Sequence, residues 1–349
     1  MRHLIDITDL TRPELDALLA LGLEMAEHPA AFAHRMDGRI LATLFFEPST
    51  RTRLSFESAM LSMGGSVLGF SEASSSSATK GETVGDTARM AACYADIIAM
   101  RHPREGAAMM AALCSDVPLI NAGDGGHAHP TQTLTDLLTL LREKGGIDGL
   151  TIGLCGDLKY GRTVHSLIHA LGYYEGVKLV CISPQALRLP EYMGEAGRDW
   201  HETERLEEAL PALDVLYMTR IQRERFDDPA EYERLKDSYV LDAAKMALMR
   251  PDAIVLHPLP RVNEIASEVD SDGRAAYFRQ AKNGRYIRMA LLDTLLSGAL
   301  EARPLAGADI RHDRPCQNVK CITAATPGAR HMAAPHGDGW RCLYCESAV

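Results

Sequence analysis

Residues 46 to 53 read Phe46, Glu47, Pro48, Ser49, Thr50, Arg51, Thr52, Arg53, and this run stands where an apolar stretch gives way to a helical pattern. Three hydroxyls and a guanidinium at a helix start describe an anion cradle. The first N–H groups of a helix have no partner inside it, and the helix dipole adds positive potential there, so a phosphate with several acceptor oxygens suits the place. The competing reading is Ser and Thr as ordinary N-caps with two solvated arginines. A second group with chemical potential closes the chain. Cys316 and Cys321 are separated by four residues, Cys342 and Cys345 by two, and twenty residues lie between the pairs. Two close pairs of thiolates fit a structural zinc with all four positions filled by protein, and two disulfides are the alternative.

The elements that must position these residues are short apolar runs alternating with helical patterns. The runs cover 40–46, 67–70, 97–100 and 117–120, then 150–155, 177–182, 215–218 and 253–256. Such alternation predicts parallel sheets covered on both faces, in two doubly wound α/β domains with a small zinc-binding domain after them. The expected divisions are 1–140, with a helix at 286–302 returning to it, then 141–285, then 306–349. Leu54, Phe56, Ala59, Met60 and Met63 recur at helical spacing after the cradle, and Thr131 to Leu141 reads as the helix that crosses between domains.

In open parallel sheets, ligands bind beyond the carboxyl ends of the strands. The residues after each run are polar in the required way. They include Arg101, His102 and Pro103; Asn121 to Gly126 with His127, His129, Pro130, Thr131 and Gln132; Gly156, Asp157 and Arg162; Thr219, Arg220 and Gln222; and His257, Pro258, Leu259 and Pro260. The chain has 349 residues, 46% of them hydrophobic and 24% charged, which is globular composition. The formal charge of −10 argues against nucleic acid as the main partner, so an anionic ligand must be held by local arginines. No apolar stretch approaches the ~18 residues of a membrane span and the first residues are polar, so the expectation is a cytoplasmic protein. The scattered Cys93, Cys114, Cys155 and Cys181 stand in apolar contexts and are expected in the core.

In order and spacing, the segments Ser49 to Arg53, Met100 to Pro103, His129 to Gln132, Gly156 to Thr163, Tyr217 to Gln222 and His257 to Arg261 resemble the catalytic chain of the aspartate carbamoyltransferase family, from about residue 4 to residue 300. The resemblance implies transfer of a carbamoyl group from carbamoyl phosphate to the amine of L-aspartate, a committed step of pyrimidine biosynthesis. It implies that Ser49, Thr50, Arg51, Thr52 and Arg101 hold the phosphate, and that Thr52, Arg101 and His129 donate to the carbonyl oxygen as negative charge develops on it. Gln132 and the backbone of Pro258 and Leu259 would serve the carbamoyl end, with Gln132 and the Pro258 carbonyl accepting from its NH2 group. Arg162, Arg220 and Gln222 would hold the carboxylates of aspartate, with Lys80 shared by both ligands. A charge pair at ~4 Å contributes about 4 kcal/mol at an effective dielectric near 20, against roughly 1 kcal/mol for a neutral hydrogen bond, so arginines select a dicarboxylate. The implied mechanism is domain closure, direct attack by the neutral amine, a tetrahedral intermediate and departure of phosphate, which is itself the proton acceptor. No residue is required as a dedicated base. His127 and His102 are expected to be bystanders.

Ser74 to Ser77 with Ala78, Thr79 and Lys80 has the composition of a flexible loop. In the family such a loop reaches a neighbouring subunit, which implies that Ser76 and Lys80 act in trans in a trimer or a dimer of trimers. Thr79 departs from a pattern that often has lysine there. The tail around Cys316, Asn318, Cys321, Ile322 and Thr323, then Cys342, Tyr344 and Cys345, is similar to the zinc domain of the family's regulatory chain, here fused to the catalytic chain. Only about fifteen residues precede Cys316 after the last catalytic helix, too few for a nucleotide-binding domain. The expectation is a module that bridges catalytic chains without a nucleotide site, with room for additional subunits. Ornithine carbamoyltransferase is the nearest rival, but it usually has Cys where this chain has Pro258, and its Ser-Met-Gly loop corresponds to no loop here, since Ser62, Met63 and Gly64 lie on another element. A non-catalytic scaffold presenting the zinc module is a further alternative. A dehydrogenase is disfavoured because no G-x-G-x-x-G follows any run.

Overall fold

The computed structural model of the chain describes residues 2–75, 77–196, 200–221, 229–305 and 309–349. They form two compact units, Met1–Thr131 with Gly284–Val349, and Gln132–Asn283. The first unit holds a parallel sheet of β1 (Ile40–Phe45), β2 (Ser66–Phe70), β3 (Ile97–His102) and β4 (Leu119–Asp124) in the order β2-β1-β3-β4. Its helices are α1 (Arg12–Glu27), α2 (Thr50–Ser62), α3 (Val84–Ala92) and α4 (Ala107–Ala112). Leu41 to Phe45 are all buried, as a parallel strand covered on both faces requires. The order reverses between β1 and β3, so the carboxyl ends of these two strands flank the switch point where such sheets bind ligands.

The second unit repeats the plan. Its helix α5 (Pro130–Lys144) leads to β5 (Thr151–Cys155), α6 (Arg162–Leu171), β6 (Lys178–Ile182), β7 (Trp200–Thr203), α7 (Leu206–Ala209), β8 (Val215–Met218), α8 (Pro229–Leu235), α9 (Ala243–Met246) and β9 (Ile254–Leu256). The sheet is parallel throughout, in the order β7-β6-β5-β8-β9, with its switch point between β5 and β8. Gly156 makes the close approach there: at φ 118°, a Cβ on it would lie 2.3 Å from the Thr219 carbonyl oxygen. Helix α10 (Tyr277–Leu296) begins nine residues before the expected 286, because its first turns are buried too: Tyr277, Gln280 and Asn283 are buried, and Gln280 and Asn283 spend their amides on the buried Asp136 and Thr139.

Two expectations are corrected, and one strand is additional to those expected. Strand β7 carries no continuous apolar run, since it forms an edge with His201 and Glu202 exposed and Trp200 and Thr203 half-buried. Arg101 and His102 belong to β3 itself, and Asn121 to Asp124 belong to β4, because their polar side chains find partners at the strand ends. Cys93 is exposed at the C-cap of α3, where its Sγ donates to the Arg89 carbonyl at 3.4 Å, and Cys114 is half-buried; Cys155 and Cys181 are buried as expected. On α2, Phe56, Ala59, Met60 and Met63 are buried, whereas Leu54 is 59% exposed.

The C-terminal segment packs onto the first unit. It contains α11 (Ile322–Ala325) and an antiparallel hairpin of β10 (Ala333–His336) and β11 (Gly339–Cys342). Cys321, Ile322, Cys342, Tyr344 and Cys345 join the same apolar cluster as Ala107, Ala108 and Ala111 of α4. Backbone bonds stitch the docking: Glu105 N–H donates to the Lys320 carbonyl at 3.2 Å and Ile322 N–H to the Glu105 carbonyl at 2.9 Å. Arg104 Nη1 donates to the Val319 carbonyl at 2.7 Å, and Asn318 Nδ2 to Glu105 Oε2 at 2.7 Å. Among the described residues, no helix is long and apolar enough to cross a membrane.

Gly106 begins α4 at φ 78°, and a Cβ on it would lie 2.4 Å from the Tyr344 carbonyl carbon. Gly106→Ala should therefore cost about 2–4 kcal/mol of unfolding free energy by combining strain with displaced backbone. Gly145→Ala, at φ 75° with nothing within 4 Å, should cost only about 1 kcal/mol. Urea unfolding of the two variants checks the difference.

Candidate active site and cysteine cluster

In the first unit, β1 ends at Phe45 and α2 begins at Thr50, with Ser49 as N-cap making no side-chain capping bond. The first backbone bond of the helix runs from Arg53 N–H to the Ser49 carbonyl at 3.1 Å. Hydroxyls of Ser49, Thr50 and Thr52 thus cluster at the helix start, Thr52 buried and Thr50 and Arg51 exposed. Arg53 points elsewhere, donating through Nε to Glu57 Oε1 at 2.7 Å. Arg101, whose position in β3 pairs with Phe45 of β1, binds Glu47 Oε1 through Nη2 and the Ala122 carbonyl through Nη1 at 3.5 Å. Glu47 therefore pairs with the Arg101 guanidinium at the carboxyl end of β3. Lys80 is exposed in a short 3-10 turn, Ser77–Lys80; Ser76 lies outside the described residues.

His129 is buried immediately before α5. The turn that presents it is built on Asp124, which accepts from Gly106 N–H at 2.7 Å, Asn121 Nδ2 at 2.9 Å and Ala128 N–H at 3.1 Å. His127 faces the same carboxylate, with Nδ1 3.1 Å from Asp124 Oδ2 and Nε2 3.4 Å from Glu346 Oε2 of the tail. Burial disfavours its charge, but the Asp124 charge and hydrogen bonds to both carboxylates outweigh burial and hold its pKa well above the ordinary value. His102 is the opposite case. Burial lowers it to about 4, its Nδ1 accepts from the Arg104 N–H at 3.0 Å, and its ring packs on Phe46. Both histidines have protein partners on these ring nitrogens, and His127 ties the tail to the loop before His129.

In the second unit, Arg162 opens α6 and Arg220 follows β8, the two strand ends at that sheet's switch point. The ends are stitched together: Asp157 N–H donates to Thr219 Oγ1 at 3.1 Å, and Thr219 Oγ1 donates to the Cys155 carbonyl at 3.0 Å. Gln222 lies outside the described residues. Gln132 is half-buried in α5 and donates through Nε2 to Asp136 Oδ1 at 2.7 Å. Pro258 and Leu259 follow β9, with Leu259 held at φ 52°, unusual for a side chain with a Cγ branch. His257 braces them: Nδ1 accepts from Leu259 N–H at 2.7 Å, so Nε2 carries the proton it donates to Glu264 at 2.7 Å. Burial alone would raise Glu264, but this hydrogen bond holds it low. Asp136, Glu264 and Gln280 are absent from the sequence reading, and Glu47 appears there only as part of the run before the helix, with no partner assigned to it.

The four cysteines have Sγ atoms all within 4.8 Å of one another, with Cys316 to Cys345 at 3.6 Å and Cys321 to Cys342 at 4.0 Å. Neither pair is bonded as a disulfide, whose sulfurs stand ~2.05 Å apart. A tetrahedral zinc with sulfurs at ~2.3 Å has edges of roughly 3.8 Å, so the cluster could hold such an ion. Donors surround the sulfurs as they would in a metal site: Asn318 Nδ2 lies 3.5 Å from Cys345, and Thr323 Oγ1 lies 3.2 Å from Cys321.

Two doubly wound sheets, each with cationic or hydroxyl side chains at its switch point, define a two-domain α/β protein that handles small anionic ligands. Two family profiles match the chain: the aspartate/ornithine carbamoyltransferase carbamoyl-P binding domain over residues 2–142 and the Asp/Orn binding domain over 148–295. The aspartate carbamoyltransferase catalytic subunit of Clostridium perfringens is 59% identical over 303 residues, covering 85% of this chain and 99% of that protein. That of Lachnoclostridium phytofermentans is 58% identical over 302 residues, covering 85% and 98%. Among solved structures, the catalytic subunit of M. jannaschii aspartate transcarbamoylase is similar with TM-score 0.80 and 47% identity, covering 85% of this chain and 99% of that one. The Trypanosoma cruzi enzyme in complex with carbamoyl phosphate and aspartate has TM-score 0.80 and 41% identity, covering 84% and 96%. The chain belongs to the aspartate/ornithine carbamoyltransferase family.

Because the folded pKa of His127 is raised, its stabilisation is complete below the ordinary value of 6.5 and is lost as pH rises through the folded value. His127→Gln should destabilise the protein by about 1–3 kcal/mol at or below about pH 6.5, with the difference shrinking as the pH rises through the raised folded value. Urea unfolding across that range measures it.

Proposed function

We propose that this chain is an aspartate carbamoyltransferase that transfers the carbamoyl group of carbamoyl phosphate to the amine of L-aspartate, giving N-carbamoyl-L-aspartate and phosphate in pyrimidine biosynthesis. The observation that carries the reading is identity at 58–59% to aspartate carbamoyltransferase catalytic subunits over nearly their whole length. In the first unit, Ser49, Thr50, Arg51 and Thr52 at the start of α2 hold the phosphate with Arg101, which exchanges Glu47 for the ligand. Ser76 and Lys80 join them from a neighbouring chain. Thr52, Arg101 and His129 donate to the carbonyl oxygen as the amine adds to carbon. Gln132 and the Pro258 carbonyl accept from the carbamoyl NH2 group, beside the Leu259 backbone.

Arg162, Arg220, Gln222 and Lys80 hold the two carboxylates of aspartate, which reacts as the free-base amine after losing its ammonium proton to solvent. The new C–N bond forms, the C–O bond to phosphate breaks, and the departing phosphate takes the amine proton. A buried carbonyl oxygen with three donors stabilises the tetrahedral intermediate more than the flat substrate, which is the source of rate.

Cys316, Cys321, Cys342 and Cys345 hold zinc as a structural ion. It would supply cross-linking of the tail and no chemistry at the substrates. The assembly we infer is a trimer or a dimer of trimers, with the zinc module bridging chains. Leu54 and Leu61, seven residues apart on α2 and 59% and 56% exposed, support a self-association face, together with Met90 and Tyr94.

Incubation with carbamoyl phosphate and each amino acid should yield carbamoylaspartate and no citrulline, and citrulline would overturn the assignment of acceptor. His129→Ala and Arg51→Ala should each lower kcat/KM by at least about a hundredfold while leaving the thermal melt unchanged. Chelation should lower the melting temperature by roughly 5–10 °C, because three of the four cysteines belong to the first unit's core. Solution mass before and after chelation tests the assembly: a monomer throughout contradicts the trimer, and an unchanged oligomer contradicts bridging through the metal.

A further inference from the structure

A side-chain amide has a donor end and an acceptor end of almost equal size, so Gln132 can serve a ligand NH2 group only if its orientation is fixed. In this structure the fixing group is Asp136, one turn further along α5, whose Oδ1 lies 2.7 Å from Gln132 Nε2. A carboxylate only accepts. One N–H of Gln132 is therefore held by Asp136, which fixes which end of the amide is nitrogen and leaves Oε1 as the end able to accept.

The same Oδ1 accepts from Gln280 Nε2 at 2.6 Å, and Gln280 in turn accepts the His257 N–H on its Oε1 at 2.9 Å. His257 immediately precedes Pro258 and braces the Leu259 N–H through Nδ1. Tyr217 donates to Asp136 Oδ2 at 2.9 Å, and burial with the nearby Asp136 charge holds that phenol protonated. Asp136 and Tyr217 are fully buried and Gln280 is 1% exposed, so solvent does not compete for the bonds Asp136 makes to Tyr217 and Gln280.

We propose that Asp136 is a positioning residue that sets selectivity for a carbamoyl over an acyl phosphate, by orienting both acceptors of the NH2 group: the Gln132 amide directly and the Pro258 carbonyl through Gln280 and His257. The inference deepens the reading of function given above and rests on it. A carboxylate at this position leaves Gln132 one orientation, whereas an amide, able to donate or accept, leaves it two. The role is separable from general support of the fold, because acetyl phosphate has the same phosphate and carbonyl but a methyl group in place of NH2 and cannot use either acceptor.

The test compares carbamoyl phosphate turnover with inhibition by acetyl phosphate. In Asp136→Asn, kcat/KM for carbamoyl phosphate should fall roughly 10- to 100-fold while the inhibition constant for acetyl phosphate moves less than about threefold. Gln280→Met keeps volume and leaves Gln132 held by Asp136, so it should lose about three- to tenfold of the same preference. If Asp136→Asn does not fold, Gln280→Met decides. An unchanged preference, or equal weakening toward both phosphates, overturns the proposal. Failure of the unmodified protein to form carbamoylaspartate would instead overturn the reading of function.

Discussion

A parallel strand buried on both faces leaves only its ends for polar chemistry, and the organisation of this protein follows from that restriction. In both units the strand order reverses once, between β1 and β3 and between β5 and β8. The connecting segments leave in opposite directions at those points, so the carboxyl ends of the flanking strands stay open. The hydroxyl and guanidinium groups of the first unit and the arginines of the second collect there because no other part of either sheet can host them without burying charge.

Polar groups placed at such ends need support from within, and in each unit a fully buried aspartate gathers several donors. Asp124 gathers the Gly106 and Ala128 N–H groups, the Asn121 amide and His127, which fixes the loop leading to His129. Asp136 gathers Gln132, Gln280 and Tyr217. A buried carboxylate is costly unless its acceptor sites are used, so its donors are held in place as firmly as it is held by them. The two carboxylates differ in what they reach. Asp124 extends through His127 to Glu346, so the tail is coupled to the loop before His129.

The cysteine tail follows a different physical logic. Its segment is too short to bury a core alone, and it uses two substitutes: a cluster of four sulfurs and the apolar surface of α4. Gly106 allows the backbone at Tyr344 to approach where any side chain would intervene. Sequence spacing made the four cysteines readable as a set, since ligands for one ion must come in close pairs. Spacing carried no information on where the set docks, because the stitching through Glu105 and Ile322 links residues more than two hundred positions apart.

The sequence by itself determined the parallel α/β architecture in two similar halves and the polar residues at strand ends, because burial on both faces writes a continuous apolar run and ligand chemistry interrupts it. It also marked the helix start at Ser49 and the paired cysteines, both of which are local. It did not reveal β7, whose exposed edge has no apolar signature, nor the exposure of Leu54 and Cys93, which depends on what covers α2 and α3. Only the tertiary structure decided which polar residues hold one another: Glu47 on Arg101, Glu346 on His127, and Gln280 on Asp136 across 144 positions. Periodicity reports which face of an element is buried. A hydrogen bond between side chains on distant elements has no period, and its direction is set only when the backbone brings donor and acceptor together.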